Sequence, residues 1–460
     1  MNSYYLIRFR LFIIKKIRQI PLYHLMIFFN QFINFIKKPA FKSAGLYTFS
    51  NFSVKAISFL LLFVYSNPKY ISVEENGLLN LMSSSVLILL PFLSLGIIQS
   101  TSVDFFRLKK ESFRDFFTTG FVIPVLSMLL GIVLLFLFRD NLKEAYQFPV
   151  SFVVIIPVLA FLAFCNEQYV SLIRNNDEPV TYFKASMLRL FIEITLSVTL
   201  VIGFAWRWQG RVAGILVANI VLLVIAFWYF RNKGYLFGKI RLHFLKAELI
   251  YAVPIIVMQL STFCLSSSDK FFLSSFSNNK EVGIYGYACI FAAVVLVACS
   301  SLTSYVMPKI YFCLSEPVIN FKQIRKYFNF YAASSVAILA GIVAVTPILY
   351  KYFINSSYHP GLQYMYLIAL GYFFWSITNF FYSYLFFHKH KRKILLISLI
   401  AIGINLTANY FFIKKWNAQG AAISVCISYL LVLITTLLFS YKYVSLIFGF
   451  NKPGEIVNNK

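Results

Sequence analysis

Apolar residues run along this chain in long continuous blocks, separated by short polar or charged connectors. The blocks do not alternate apolar with polar residues, so the pattern is not that of an outer-membrane barrel. A membrane helix needs about 20 apolar residues. At that window the chain predicts twelve spans, centred on 45–66, 79–100, 117–137, 149–171, 181–203, 213–230, 250–272, 284–307, 329–350, 362–386, 394–413 and 420–441. The expected fold is an all-α integral membrane protein. Composition agrees: 60% hydrophobic and 13% charged residues over 460 positions leave more apolar surface than a soluble core of this size can hide.

Charge adds an orientation. The 42 Lys and Arg outnumber 16 acids, for a formal charge of +26. Most of the basic residues fall in the amino-terminal stretch, the even-numbered connectors and the tail, and the positive-inside rule then places both termini in the cytoplasm. Because the charge is dispersed over connectors, nucleic acid is not an expected partner. Residues 1–43 include "RFRLFIIKKIRQIPLYHLMIFFNQFINFIKK", which mixes basic residues with aromatics and aliphatics, carries no acid and is broken by Pro21. This reads as a basic amphipathic segment on the anionic cytoplasmic leaflet, and not as a signal peptide. A disordered extension, or a start at Met26, is the alternative.

The residue inventory excludes several activities. Six cysteines show no CxxC or metal-like spacing and are expected to pack as small apolar residues. His388 and His390 share a loop with Lys389, Lys391, Arg392 and Lys393, which reads as a cytoplasmic anchor. There is no phosphate-binding loop, nucleophile elbow or zinc-protease motif, so no cofactor is expected. Connectors are too short for an extramembrane catalytic domain, and the chain is not expected to be an enzyme.

An internal repeat is visible in the glycines. Gly77 follows "VEEN" and Gly283 follows "NKEV", 206 residues apart; Gly214 and Gly420 open the sixth and twelfth spans with the same separation. Two six-helix halves of like orientation follow, over residues 44–240 and 241–445, with a cytoplasmic tail at 446–460. Such parallel repeats place a substrate path in a central cavity between the halves.

Three segments carry a family resemblance. "INLTANYFFIKKWNAQGAAISVCISYLLVL" contains Asn405, Asn409, Tyr410, Gly420, Ala421, Ala422, Ser428 and Tyr429. "SDKFFLSSFSNNKEVGIYGYA" contains Ser268, Asp269, Lys270, Val282, Gly283, Tyr285 and Ala288, and "SLIRNNDEPVTYFKASMLR" supplies the connector between spans four and five. Together they resemble bacterial polysaccharide flippases, the Wzx-type branch of the multidrug/oligosaccharidyl-lipid/polysaccharide exporter superfamily. Asn417 stands where the family often has a turn glycine, a tolerable change because Asn also visits left-handed backbone. The basic amino-terminal extension is a departure from many members.

Ionisable groups within spans are costly and usually face a partner or a wet cavity. Arg189 and Glu193 are four residues apart on one helical face and can pair directly. Asp269 and Lys270 are adjacent and project about 100° apart, so each needs a different partner. Lys270 can snorkel to the outer interface. Asp269 is too short for that and is expected to face protein or water between the halves. Lys55 has no opposite charge on its own helix, and Glu167 stands near the inner end of span four.

The resemblance implies a flippase for polyprenyl-diphosphate-linked oligosaccharide repeat units in the bacterial cytoplasmic membrane, working by alternating access for O-antigen or capsule assembly. Lys55, Arg189 and Lys270 are then the candidates for contact with the diphosphate. Glu167, Glu193 and Asp269 are candidates for cation or proton coupling, or for holding the bases. Asn405, Asn409, Gly420, Gly283 and Tyr285 are the structural positions of the motif. The implied partners are the lipid-linked oligosaccharide, membrane lipid, and a polysaccharide polymerase with chain-length proteins. The alternatives are a cation-coupled multidrug exporter of the same superfamily, a lipid II flippase and a polysaccharide polymerase.

Overall fold

The computed structural model describes residues 61–316 and 319–448, together with Ser53 and Phe59. The first half contains α1 (Val73–Ser94), α2 (Ile97–Arg107), α3 (Lys110–Gly120), α4 (Val122–Leu137), α5 (Arg139–Tyr146), α6 (Phe152–Asn175), α7 (Pro179–Val198) and α8 (Arg207–Lys233). The second contains α9 (Leu242–Phe276), α10 (Asn279–Ser315), α11 (Phe321–Phe353), α12 (Gly361–Phe387), α13 (Lys391–Phe439) and α14 (Tyr441–Phe448). Among the described residues, eight helices are long and apolar enough to cross a membrane. The last of them, α13, carries two of the expected spans, and α9 and α12 cover those at 250–272 and 362–386. The expected first span lies mostly outside the described residues, as do Lys55 and the segment 1–43.

Three boundaries differ from a reading by hydropathy alone. The second span runs over 73–94 because Leu95 and Gly96 both take left-handed backbone, with φ 42° and 78°, and end α1 before a short α2. The third is divided at Phe121 into α3 and α4. Apolar residues on both sides mask the break at Leu95, whereas the one at Phe121 follows Thr118, Thr119 and Gly120. The last two spans turn sharply within α13 at Trp416 and Asn417, where Asn417 has φ 47° and ψ −129°. That backbone favours glycine, as the family resemblance anticipates. Asn417→Gly is expected to stabilise the protein by about 1 kcal/mol, measured as a rise in melting temperature in detergent.

The halves meet where α1 crosses α10. Ser72 caps α1 and accepts from the backbone of Glu75, while Asn278 caps α10 and accepts from the backbone of Glu281. Each cap is therefore followed three residues later by an acid, with the same offset of 206 between the halves. The offset recurs in the contact itself. A Cβ on Gly77 would stand 1.8 Å from the Asn279 carbonyl oxygen, and one on Gly283 would stand 2.1 Å from that of Val73. One turn further on, Gly286 faces Asn80, whose Nδ2 would meet an added Cβ at 2.4 Å. Val73 and Asn279, Gly77 and Gly283, and Asn80 and Gly286 are equivalent pairs, so the two helices touch about a pseudo-twofold axis that only small residues permit.

Around this crossing one apolar cluster spans both halves. It includes Leu78, Phe152 and Val212 from the first with Tyr285, Met365 and Ala421 from the second. Asn76 donates to the Tyr358 hydroxyl at 2.6 Å, and Asn279 donates to the Tyr146 carbonyl at 3.1 Å, so α1 reaches the connector between α11 and α12 and α10 reaches the end of α5. The halves are joined covalently through residues 234–241, which lie along α3. Asp115 accepts from the Lys239 backbone at 2.8 Å and pairs with Arg241 at 2.6 Å; Thr118 accepts from Gly238 at 2.9 Å, and Thr119 from Arg241 at 3.1 Å.

Candidate functional site

In the second half, α9 and the two arms of α13 bring together a buried polar network. Ser268 donates to Asn405 Oδ1 at 2.8 Å, and Asn409 Nδ2 lies 2.9 Å from Ser268 and 3.0 Å from Asn405 Oδ1. Ser424 donates to Asn409 Oδ1 at 2.6 Å, and Asn405 Nδ2 reaches Ser428 at 3.3 Å. The spacing explains the convergence. Asn405 with Asn409, and Ser424 with Ser428, are i,i+4 pairs, which place their side chains on one helical face. All five residues are buried. A partly satisfied network in an apolar interior costs more than none, so each member is constrained by the rest. Asn409→Ala would strip partners from Ser268, Asn405 and Ser424. We expect a loss of about 1–3 kcal/mol, checked by thermal denaturation in detergent.

Asp269 adjoins this network and is only 2% exposed. Its Oδ2 accepts from the Tyr285 hydroxyl on α10, and its Oδ1 accepts from the Lys270 backbone at 2.9 Å. Among the described residues no side chain forms an ion pair with it. The expectation has Asp269 facing protein or water between the halves; it faces protein, but inside the second half, where α9 packs on Tyr285 of α10. Of the family-motif residues, Asn405 and Asn409 form the network, Tyr285 holds the carboxylate, and Gly283 makes the crossing. Gly420 lets the arms of α13 meet, since an added Cβ would stand 2.0 Å from the Phe412 carbonyl oxygen.

The first half holds a second polar cluster. Glu193 does not pair with Arg189; Arg211 on α8 engages it at 2.9 Å. The same arginine donates to Ser197 at 3.1 Å, and its guanidinium lies 5.3 Å from the centre of the Tyr65 ring. A donor from the neighbouring helix thus takes the place of the i,i+4 partner. Arg189 is half-buried, and its Nε has no acceptor among the described residues. Glu167 is exposed on α6, and Lys270 is half-buried. Among the described residues neither side chain makes an ion pair. Arg189 and Lys270 stand in opposite halves.

Arg211, Ser197 and Ser424 escaped the sequence reading. Arg211 sits just ahead of an apolar run and reads as a connector residue. Its signal is Gly214, which lets α8 approach α7 so closely that an added Cβ would fall 2.2 Å from Ser197 Oγ. Ser424 is betrayed only by its four-residue spacing from Ser428.

Solved structures share this fold of two pseudo-symmetric halves, among them a member of the MOP superfamily. A multidrug resistance MATE family transporter of that superfamily, in its inward-facing conformation, is 14% identical, with 85% of this chain and 96% of the other covered and a TM-score of 0.65. The lipid II flippase MurJ, in an inward closed conformation, is 15% identical, with 88% and 90% covered and a TM-score of 0.65. The MATE multidrug transporter DinF-BH is 14% identical, with 90% and 97% covered and a TM-score of 0.62. The particular family follows from sequence: the chain belongs to the polysaccharide biosynthesis proteins, whose profile matches residues 40–310. No curated protein matches it by sequence. The protein is a multi-pass membrane protein whose structural relatives are transporters and flippases.

Proposed function

We propose that this protein flips polyprenyl-diphosphate-linked oligosaccharide repeat units across the bacterial cytoplasmic membrane for cell-surface polysaccharide assembly. The reading rests above all on the family match, together with a fold that a lipid II flippase shares. The distribution of Lys and Arg makes the Gly77–Gly283 crossing the external seal. Rocking of the halves about it exposes the path to one side and then the other. No covalent chemistry is needed. Arg189 and Lys270, together with Lys55, offset the diphosphate charge in the low-dielectric path. Glu193 holds Arg211 in place.

Asp269 and the Ser268–Asn405–Asn409 network supply coupling. The Asp269 carboxylate and the neighbouring amide and hydroxyl oxygens are hard donors of the kind that suits a proton or a small cation. Binding there offsets the cost of a buried charge, and shifts the balance between the two states only in so far as it favours one of them.

The multidrug-exporter reading has its own support, because the MATE transporter is as similar in fold as the flippase. Both are tested in one experiment. The full chain in liposomes is expected to transfer a short fluorescent polyprenyl-diphosphate sugar, with transfer lost in Arg189→Ala at unchanged melting temperature. Movement of an organic cation against an ion gradient, with no transfer of the lipid, would replace the flippase by the exporter.

A further inference from the structure

A cavity of about 250 Å³ opens in the second half between α9, α12 and both arms of α13. By the same measure one water needs only roughly 10–15 Å³, so the space accommodates a ligand fragment. Trp375 and Tyr382 form its aromatic wall, with ring centres 6.2 Å apart. Gln259 and Thr262 approach from α9, Asn379 from α12 and Ser398 from α13. Gln259 Oε1 is buried with no donor among the described residues. Aromatic faces beside amides and hydroxyls suit a sugar ring, whose C–H faces stack while its rim of hydroxyls both donates and accepts.

A cavity in the first half supplies the contrast. It measures about 430 Å³, and its walls, among them Phe121, Phe161 and Leu223, carry only apolar side chains. An isoprenyl chain suits those walls; the cavity between α9, α12 and α13 is the more polar of the two, although apolar side chains such as Leu265 and Ile394 also line it.

Resting on the cargo reading above, we propose that the polar cavity seats one sugar ring of the lipid-linked glycan. The site is physically continuous with the buried network. Trp375 lies 5.6 Å from the ring of Tyr429, which follows Ser428. Ala401 and Val432, both in the cavity wall, are each four residues from network members, Asn405 and Ser428. A sugar held there presses on the same helices that hold the network.

The test compares the full chain in detergent against short-chain polyprenyl diphosphates bearing glucose, galactose or N-acetylglucosamine, and against the same lipid without sugar. At least one glycolipid is expected to bind about fivefold or more tightly than the sugar-free lipid. Trp375→Ala and Asn379→Ala are expected to bring that ratio to about one while leaving sugar-free binding unchanged. Gln259→Leu preserves bulk and removes only polar contacts, so a loss of the ratio there does not reflect a collapsed core. A ratio that survives all three substitutions overturns the site, as does equal binding of all four lipids by the wild type. Loss of sugar-free binding in the variants would assign the cavity to the isoprenyl chain. Failure of the wild type to bind any of the four defeats the cargo reading itself, a result separable from the others.

Discussion

Replacing Gly77 or Gly283 with alanine is expected to cut lipid transfer at least about tenfold, and to lower the melting temperature, because the new Cβ strikes backbone that cannot rotate away. Gly77 meets the Asn279 carbonyl and Gly283 meets that of Val73. The two substitutions wedge the same joint, so the double variant should lose little more than either single one. Independent sites would instead add. Transfer in liposomes and thermal denaturation of the three variants decide between these outcomes. Unimpaired transfer in Gly283→Ala would show that the external seal does not depend on this crossing.

The second large effect concerns Asp269. Asp269→Asn keeps an acceptor for the Tyr285 hydroxyl but removes the charge. Transfer is expected to fall about tenfold or more and to lose its dependence on a sodium or proton gradient, while the fold is retained or strengthened, since an unpaired buried charge is relieved. Asp269→Ala removes the acceptor too, and should be less stable than Asp269→Asn. If Asp269→Asn responds to imposed gradients as the wild type does, the coupling site lies elsewhere.

The spans and the repeat were legible because both rest on features local in sequence. Long apolar runs mark helices, and glycines at a fixed offset mark equivalent backbone approaches. The four-residue spacing of Asn405 and Asn409 and the Ser268–Asp269 motif were each legible, but only the fold brings Ser268 onto the two amides. What stayed hidden depends on partners distant in the chain. Arg189 and Glu193 have the spacing of an ion pair, yet Arg211 approaches from α8 and takes the carboxylate. The end of α1 at Leu95 is not marked by hydropathy, since Leu93, Leu95, Ile97 and Ile98 carry apolar character across it. Whether Asp269 faces a path or a core depends on how α10 packs against α9, which no local pattern encodes.

The segment 234–241 joins the halves, yet it is bound along α3 by Asp115, Thr118 and Thr119. A tether secured in this way has no slack. Relative motion of the halves cannot be absorbed by paying out loop; it must be taken up in the body of α9 or at its first turn. That makes the stretch a poor place to insert a tag or a reporter domain, despite lying between two repeats where such insertions are usually tried. It also means that the gene could be split there with little loss of cohesion: a first fragment ending after Arg241 would keep the strap, and the second would dock through the α1–α10 crossing.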